Sequence, residues 1–286
     1  ITESAPDNTF PLRNNLPGVL IWHRFIMKMY NFKRQTEETK TMTNRHDWPL
    51  ALSYDASKFG DEVLSAYQKA GIRYMEFSNS NRNYFTESEY VKNAKNIFKK
   101  AKTYDVTISS IHLPFAPFSI LDPASTDRMV RDSIVAFQSE LIKAAADSGV
   151  DIAVIHPSGE PYREEERPMR LACAVDTIGR LHKAAQEAGI VLALENLPRT
   201  CLGRNASDIL YFLRNIPALS VCFDTNHNLS EPNTAFIRAI GEKIVTLHVS
   251  DYDFANEKHW FPMKGKNPWN AIFRALEEVN YNGRFT

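Results

Sequence analysis

The feature that most constrains this chain is an alternation. From about Pro49 onward, short apolar runs of strand length are separated by longer stretches whose apolar residues recur three and four positions apart. Runs of the first kind suit strands buried on both faces and stretches of the second kind suit amphipathic helices, so their regular exchange is the pattern of βα units on a parallel sheet. The sequence predicts strands at 50–54, 72–77, 106–111, 152–155, 190–194, 219–223 and 244–249, with a last one starting near Arg284. Helical spacing is clearest over 87–102, 127–148, 167–188 and 267–279. Gly71, Gly149 and Gly189 fall just past helical stretches, where a left-handed residue closes a helix. Eight such units predict an α/β fold, a (β/α)₈ TIM barrel; a doubly wound sheet would carry a Gly-rich phosphate turn after its first strand, and none is present.

The chain's 286 residues suit a single barrel, which the alternation places over 47–286, leaving 1–46 as a poorly structured N-terminal extension. Lys plus Arg and Asp plus Glu both total 34, so no global positive field draws in nucleic acid. The lysine-rich segment 92–102 reads as the solvated face of a helix. The apolar stretch 18–30 is interrupted by His23, Arg24 and Lys28, so neither a membrane span nor a signal-peptide core is expected. Cys173, Cys201 and Cys222 are odd in number, far apart and without a CxxC pattern. They read as free packing thiols in a reducing compartment, and the cytoplasm is the expected location.

Polar residues at the C-terminal ends of barrel strands are where ligands are held, because the strand interiors are packed with branched apolar side chains. Those ends read Glu76, His112, His156, Glu195, Asp224 with His227, and His248 with Asp251. A single buried carboxylate or imidazole is usually a satisfied structural group. Six consecutive strands delivering them to one rim would need six separate partners, unless a shared cation serves them all. Carboxylate and imidazole without thiolate suits Mn²⁺, Zn²⁺, Co²⁺ or Mg²⁺. The segments Asp224-Thr-Asn-His227 and His248-Val-Ser-Asp251 each allow one group to bind while the other orients it or holds substrate hydroxyls.

The motifs IHLPF (111–115), VIHPSG (154–159), LALENLP (192–198), CFDTNH (222–227), LHVSDYD (247–253), KHWFPMKGKNPW (258–269) and YNGRF (281–285) resemble the xylose-isomerase-like barrel superfamily. That superfamily contains sugar isomerases and epimerases as well as endonuclease IV-type apurinic endonucleases. The resemblance implies that Glu195, Asp224 and His248 bind a divalent metal, that Glu195 also acts as acid/base, and that His227 holds a substrate oxygen or a second metal. His112, His156 and His259, with Glu257, match positions that complete a multinuclear zinc cluster in the endonuclease branch, so one to three ions fit the pattern. His259 reads equally as a solvated loop residue. Two departures stand out: the turn Pro262 to Gly265 reads PMKG, and the family's second glutamate, beyond the glycine matching Gly283, does not occur before Thr286. The expectation is accordingly a barrel truncated at its C-terminal end.

The implied function is a metal-dependent sugar or sugar phosphate isomerase/epimerase, abstracting a proton next to a carbonyl through a metal-stabilised enediolate. His156, Asp251 and Lys264 are expected at substrate hydroxyls or a phosphate. The partners implied are a small sugar and a second copy of the chain, with neither nucleic acid nor a membrane. A zinc phosphodiesterase acting on abasic DNA and a non-catalytic sugar- or metal-binding barrel are the alternatives.

Overall fold

Each apolar run of the sequence becomes a strand, and every strand lies parallel to its neighbours. The computed structural model describes residues 48–55, 60–78, 87–160 and 162–286; the N-terminal extension lies outside the described residues. The strands are β1 (Ala51–Asp55), β2 (Tyr74–Ser78), β3 (Thr107–His112), β4 (Ile152–Ile155), β5 (Val191–Glu195), β6 (Ser220–Asp224), β7 (Ile244–His248) and β8 (Arg284–Phe285). Their order in the sheet is their order in the chain, β1 to β8. A parallel bridge between Leu50 and Phe285, with the Phe285 amide donating to Pro49 O at 2.9 Å, brings the two edges together into a nearly closed barrel. Trp48 stacks on Phe285 and donates its indole N–H to Tyr281 O at 2.8 Å, so aromatic packing covers this seam.

The described helices are α1 (Asp61–Lys69), α2 (Glu87–Thr103), α3 (Arg128–Asp147), α4 (Arg167–Ala188), α5 (Ala206–Asn215), α6 (Asn233–Ile240) and α7 (Trp269–Glu278). The four predicted individually, α2, α3, α4 and α7, match within two residues at each end. Of the remaining three, α6 spans only 8 residues; a helix so short shows little period and is stabilised by packing, here through Phe236, Ile237 and Ile240. Asp127 and Asn205 cap α3 and α5 by accepting from Met129 N and Asp208 N. Gly149 and Gly189 end α3 and α4 with φ of 83° and 75°, as their positions in the sequence predict.

Most of the core lies between the strands and the helices. A smaller cluster of Ile152, Val154, Ala193 and Cys222 fills the barrel itself. Because side chains alternate along a strand, that inner set fixes what comes next at the rim: Val154 is followed on the same face by His156, Ala193 by Glu195, and Cys222 by Asp224. The apolar lining and the polar rim are therefore consecutive layers of one pattern. Register shifts opposite Met75/Glu76 and Val221/Cys222 leave Ser109 of β3 and Val245 of β7 as extra residues ahead of His112 and His248, a usual place for a bulge to re-aim a side chain.

All three cysteines are free, Cys201 and Cys222 buried and Cys173 half-buried. Lys92, Lys95, Lys99 and Lys102 are exposed on α2, which is the solvated face expected of them. Among the described residues no helix is long and apolar enough to cross a membrane.

Candidate active site

Glu195, the last residue of β5, is the hub of the rim. Its Oε2 lies 2.9 Å from His112 Nε2 and 3.2 Å from His156 Nε2, and its Oε1 lies 2.9 Å from His248 Nδ1 and 3.5 Å from His227 Nδ1. Four imidazoles from four different strand ends thus meet one carboxylate that is only 2% exposed. Burial would raise the Glu195 carboxyl, yet His248, His112 and His156 hold it well below the ordinary carboxylate range. Asp224, at the end of β6, moves the other way. Burial raises it, His227 pulls it back only in part, and Glu195 adds to the rise.

Two of the imidazoles are oriented by the backbone. His112 Nδ1 lies 2.9 Å from Leu113 O and His227 Nδ1 lies 2.8 Å from Asn196 O; a carbonyl can only accept, so in each ring Nδ1 carries the proton. The Nε2 lone pair of neutral His112 then points at Glu195 Oε2, and that of neutral His227 at Asp224 Oδ2 (3.6 Å) and Glu257 Oε2 (3.4 Å). Lone pair facing carboxylate at such distances requires a positive charge between them, a proton or a metal ion. For His227, burial alone would lower the pKa, but Asp224, Glu257 and Glu195 outweigh it and push it up to about 9. His156 shows the reverse balance: burial dominates, and the ring is lowered to about 4 and stays neutral. It stacks on Phe115 with ring centroids 4.2 Å apart.

The donors suit a divalent cation. Three groups have all their ligand atoms within 4.8 Å of one another: His112, Glu195 and His248; Glu195, Asp224 and His227; and His227, Glu257 and His259. The first two share Glu195, and His248 Nδ1 is 3.9 Å from Asp224 Oδ2. The set is oxygen and imidazole nitrogen without thiolate, two of its imidazoles present directed lone pairs, and it is largely buried, all of which fits Mn²⁺, Co²⁺, Zn²⁺ or Mg²⁺.

Glu76, expected as a further metal or substrate contact, meets the site through another residue. Its Oε1 is 3.0 Å from His248 Nε2, and its Oε2 accepts from Ser110 Oγ at 2.9 Å. It flanks the outer nitrogen of His248 while the inner nitrogen faces Glu195. Burial works against the Glu76 carboxylate, but His248 and His112 keep it below its usual range; burial would lower His248, yet Cys222, Glu76 and Glu195 outweigh it and raise it well above its own.

Asp251, expected at substrate hydroxyls, is not brought to the cluster. Its carboxylate accepts from Tyr252 N (2.9 Å), Asn267 N (3.0 Å) and Trp269 Nε1 (3.0 Å), so its capacity is used in fixing the path from β7 to α7. Gly265 of the PMKG turn packs directly on it; any Cβ there would collide with Asp251 Oδ1 and Tyr252 O. Lys264 is exposed in the same turn, its amide donating to Phe261 O at 3.0 Å. Its ammonium is not among the converging groups. His259 is half-buried, with its ring centroid 5.7 Å from that of His227.

A family model described as xylose isomerase-like TIM barrel matches residues 64–286. The chain belongs to this family. A protein of Methanocaldococcus jannaschii that carries no functional name is 27% identical to this xylose isomerase-like barrel over 201 residues, 67% of each chain. The D-psicose 3-epimerase of Enterocloster bolteae is 31% identical over 118 residues, a segment covering 39% of this chain and only 38% of the epimerase. The solved structure of a D-tagatose 3-epimerase-like protein superposes with a TM-score of 0.68 at 22% identity, covering 82% of this chain and 88% of that one, and shares the fold.

Three residues of this xylose isomerase-like barrel that hold the site together escaped the sequence reading. Asn196 donates to Asp224 O (3.0 Å) and accepts from Asp224 N (2.7 Å), tying the ends of β5 and β6, while its own carbonyl orients His227. Asn226 Oδ1 accepts from Lys258 N (3.1 Å) and His259 N (3.4 Å). Arg199 bonds Glu257. The available signal was adjacency: Asn196 and Asn226 sit beside ligand candidates inside ENLP and DTNH, and short amides next to charged ligands commonly orient them.

Proposed function

We propose that this chain is a divalent-metal-dependent sugar epimerase or isomerase that moves a proton on the carbon next to a ketose carbonyl. The observation that carries this reading is the convergence of four imidazoles and Asp224 on the buried carboxylate of Glu195. Membership of the family supports it, as does similarity to a protein named as a sugar 3-epimerase. Glu195, Asp224 and His248 hold the cation, with His112 beside them. A bound divalent cation polarises the carbonyl and offsets the negative charge that develops on its oxygen.

The chain's own residues supply the proton chemistry. Glu195, kept anionic by the imidazoles around it, accepts the proton from the carbon next to the carbonyl. His227, whose pKa of about 9 makes it a cation at neutral pH, donates through Nε2 to a substrate oxygen. Neutral His156, flat against Phe115, gives a polar edge and an apolar face for a sugar ring. Delivery of a proton to the opposite face of the same carbon by a second acid gives the epimer, and return of the proton by Glu195 to the neighbouring carbon gives the isomer.

The test is an NMR assay in D₂O, with Mn²⁺- or Co²⁺-loaded protein and a panel of free and phosphorylated ketoses. The expected result is deuterium appearing at the carbon next to the carbonyl together with the epimer or isomer, and neither with Glu195→Gln. Absence of exchange on every sugar, in protein that binds the metal, would overturn the reading. The grouping of His227, Glu257 and His259 is what a zinc phosphodiesterase would also use, so incision of an abasic duplex is assayed alongside. Incision without sugar exchange would establish that alternative.

A further inference from the structure

Arg199 follows Glu195 by four positions in the loop after β5, and its backbone is in the left-handed region at φ 53°, which residues other than glycine seldom occupy. Where such a conformation persists, the surroundings over-determine it, and here they can be named. The guanidinium Nε donates to Glu160 Oε1 and Oε2 at 2.9 and 3.1 Å, and Nη2 also donates to Glu160. Nη1 donates to Asn256 Oδ1 at 3.0 Å and to Glu257 Oε1 at 2.7 Å. One side chain therefore ties together the loops that follow β4, β5 and β7.

The two oxygens of Glu257 are divided between this tie and the site. Oε1 belongs to Arg199, whereas Oε2 lies 3.4 Å from His227 Nε2 and 3.7 Å from His259 Nε2. The same segment is held a second time from beneath, by Asn226 Oδ1 on the amides of Lys258 and His259. Nothing in the strand pattern requires 256–259 to lie over the rim, since the bridge from Asp251 to Trp260 fixes only its two ends.

We infer that Arg199 is a positioning residue: it latches the 256–259 segment over the site and turns Glu257 Oε2 toward His227 and His259, and it does not itself bind substrate. Its nitrogens are committed to two carboxylates and an amide oxygen of the protein, an arrangement suited to the planar fork of arginine that lysine cannot reproduce. An incoming anion would have to displace Glu160 or Glu257 to reach it. This inference rests on the reading of the site given above, and the experiment separates the two.

The experiment is a double-mutant cycle of Arg199→Gln and Glu257→Gln, read by hydrogen–deuterium exchange on the metal-free protein and by KM for whichever sugar is turned over. Arg199→Gln should raise exchange in peptides covering 253–260 by at least about tenfold while leaving β5 and β6 protected. Each single variant should raise KM by about tenfold and change kcat far less, and the double variant should do little more than either, because the Arg199–Glu257 contact is common to both. Unchanged exchange over 253–260 in Arg199→Gln overturns the latch. So do KM effects that multiply in the double variant, which would mean that Arg199 meets the substrate directly. The exchange measurement requires no turnover: raised exchange without sugar chemistry keeps the latch and removes the proposed function, and unchanged exchange with normal turnover does the reverse.

Discussion

The two halves of the site are built differently. The inner half, His112, Glu195, Asp224 and His248, consists of strand-end residues whose positions follow from barrel closure and from the alternation that packs Ala193 and Cys222 beneath them. The outer half, Glu257 and His259, rides on the segment after β7, and its position depends on Arg199 and Asn226. The inner half is rigid because the fold is rigid. The outer half is rigid only as long as a few side-chain contacts survive, so the two should fail separately.

The largest effect is expected at the hub. Glu195→Gln removes the negative charge shared by four imidazoles and should lower turnover by ~10²–10⁴-fold. Isotope exchange next to the carbonyl and metal titration would measure it; a fully active variant would remove Glu195 from the chemistry. Glu76→Gln probes the inner half one layer out, since it leaves every proposed ligand in place and changes what flanks the outer nitrogen of His248 and what accepts from Ser110 Oγ. Metal affinity should fall by roughly 10–100-fold, as is typical when a group that orients a ligand is lost. An unchanged affinity would mean that His248 needs no such partner.

Much of the inner half was legible in the sequence. Eight apolar runs with polar terminators predict both the barrel and the rim, because strand period and burial determine where each terminator points. Asp251 was misread for a physical reason: it follows β7 at a distance suited to the site, but Trp269 and Asn267, both later in the chain, fold back and occupy its carboxylate. Only tertiary structure reveals that. The same holds for Arg199, whose partners lie 39 and 58 positions away. Short motifs carry what a strand presents, whereas a loop's anchors are scattered along the chain.

Asp251 now sharpens the comparison from the opposite side. Asp251→Ala should cost on the order of 3 kcal/mol, leaving three donors without a charged acceptor, and should lower the melting temperature while hardly altering metal affinity measured below that transition. A loss of metal binding at full stability would return Asp251 to the site. The smallest effect concerns pH. His248, raised well above its ordinary value, carries a proton at pH 7 that a cation bound at its inner nitrogen must displace. Affinity should therefore rise with pH through the neutral range. Calorimetry in buffers of different ionisation enthalpy should find protons released on binding. A pH-independent affinity would contradict the charge balance described here.

We propose that the strand-borne residues form a divalent-cation site. This is tested most directly by metal content per chain, measured by mass spectrometry after loading and desalting, in wild type and in Asp224→Ala. Bound Mn, Co, Zn or Mg is expected in the wild type and should be lost in Asp224→Ala protein that still folds. Wild-type protein that retains no metal, or an Asp224→Ala variant that retains as much, would contradict it.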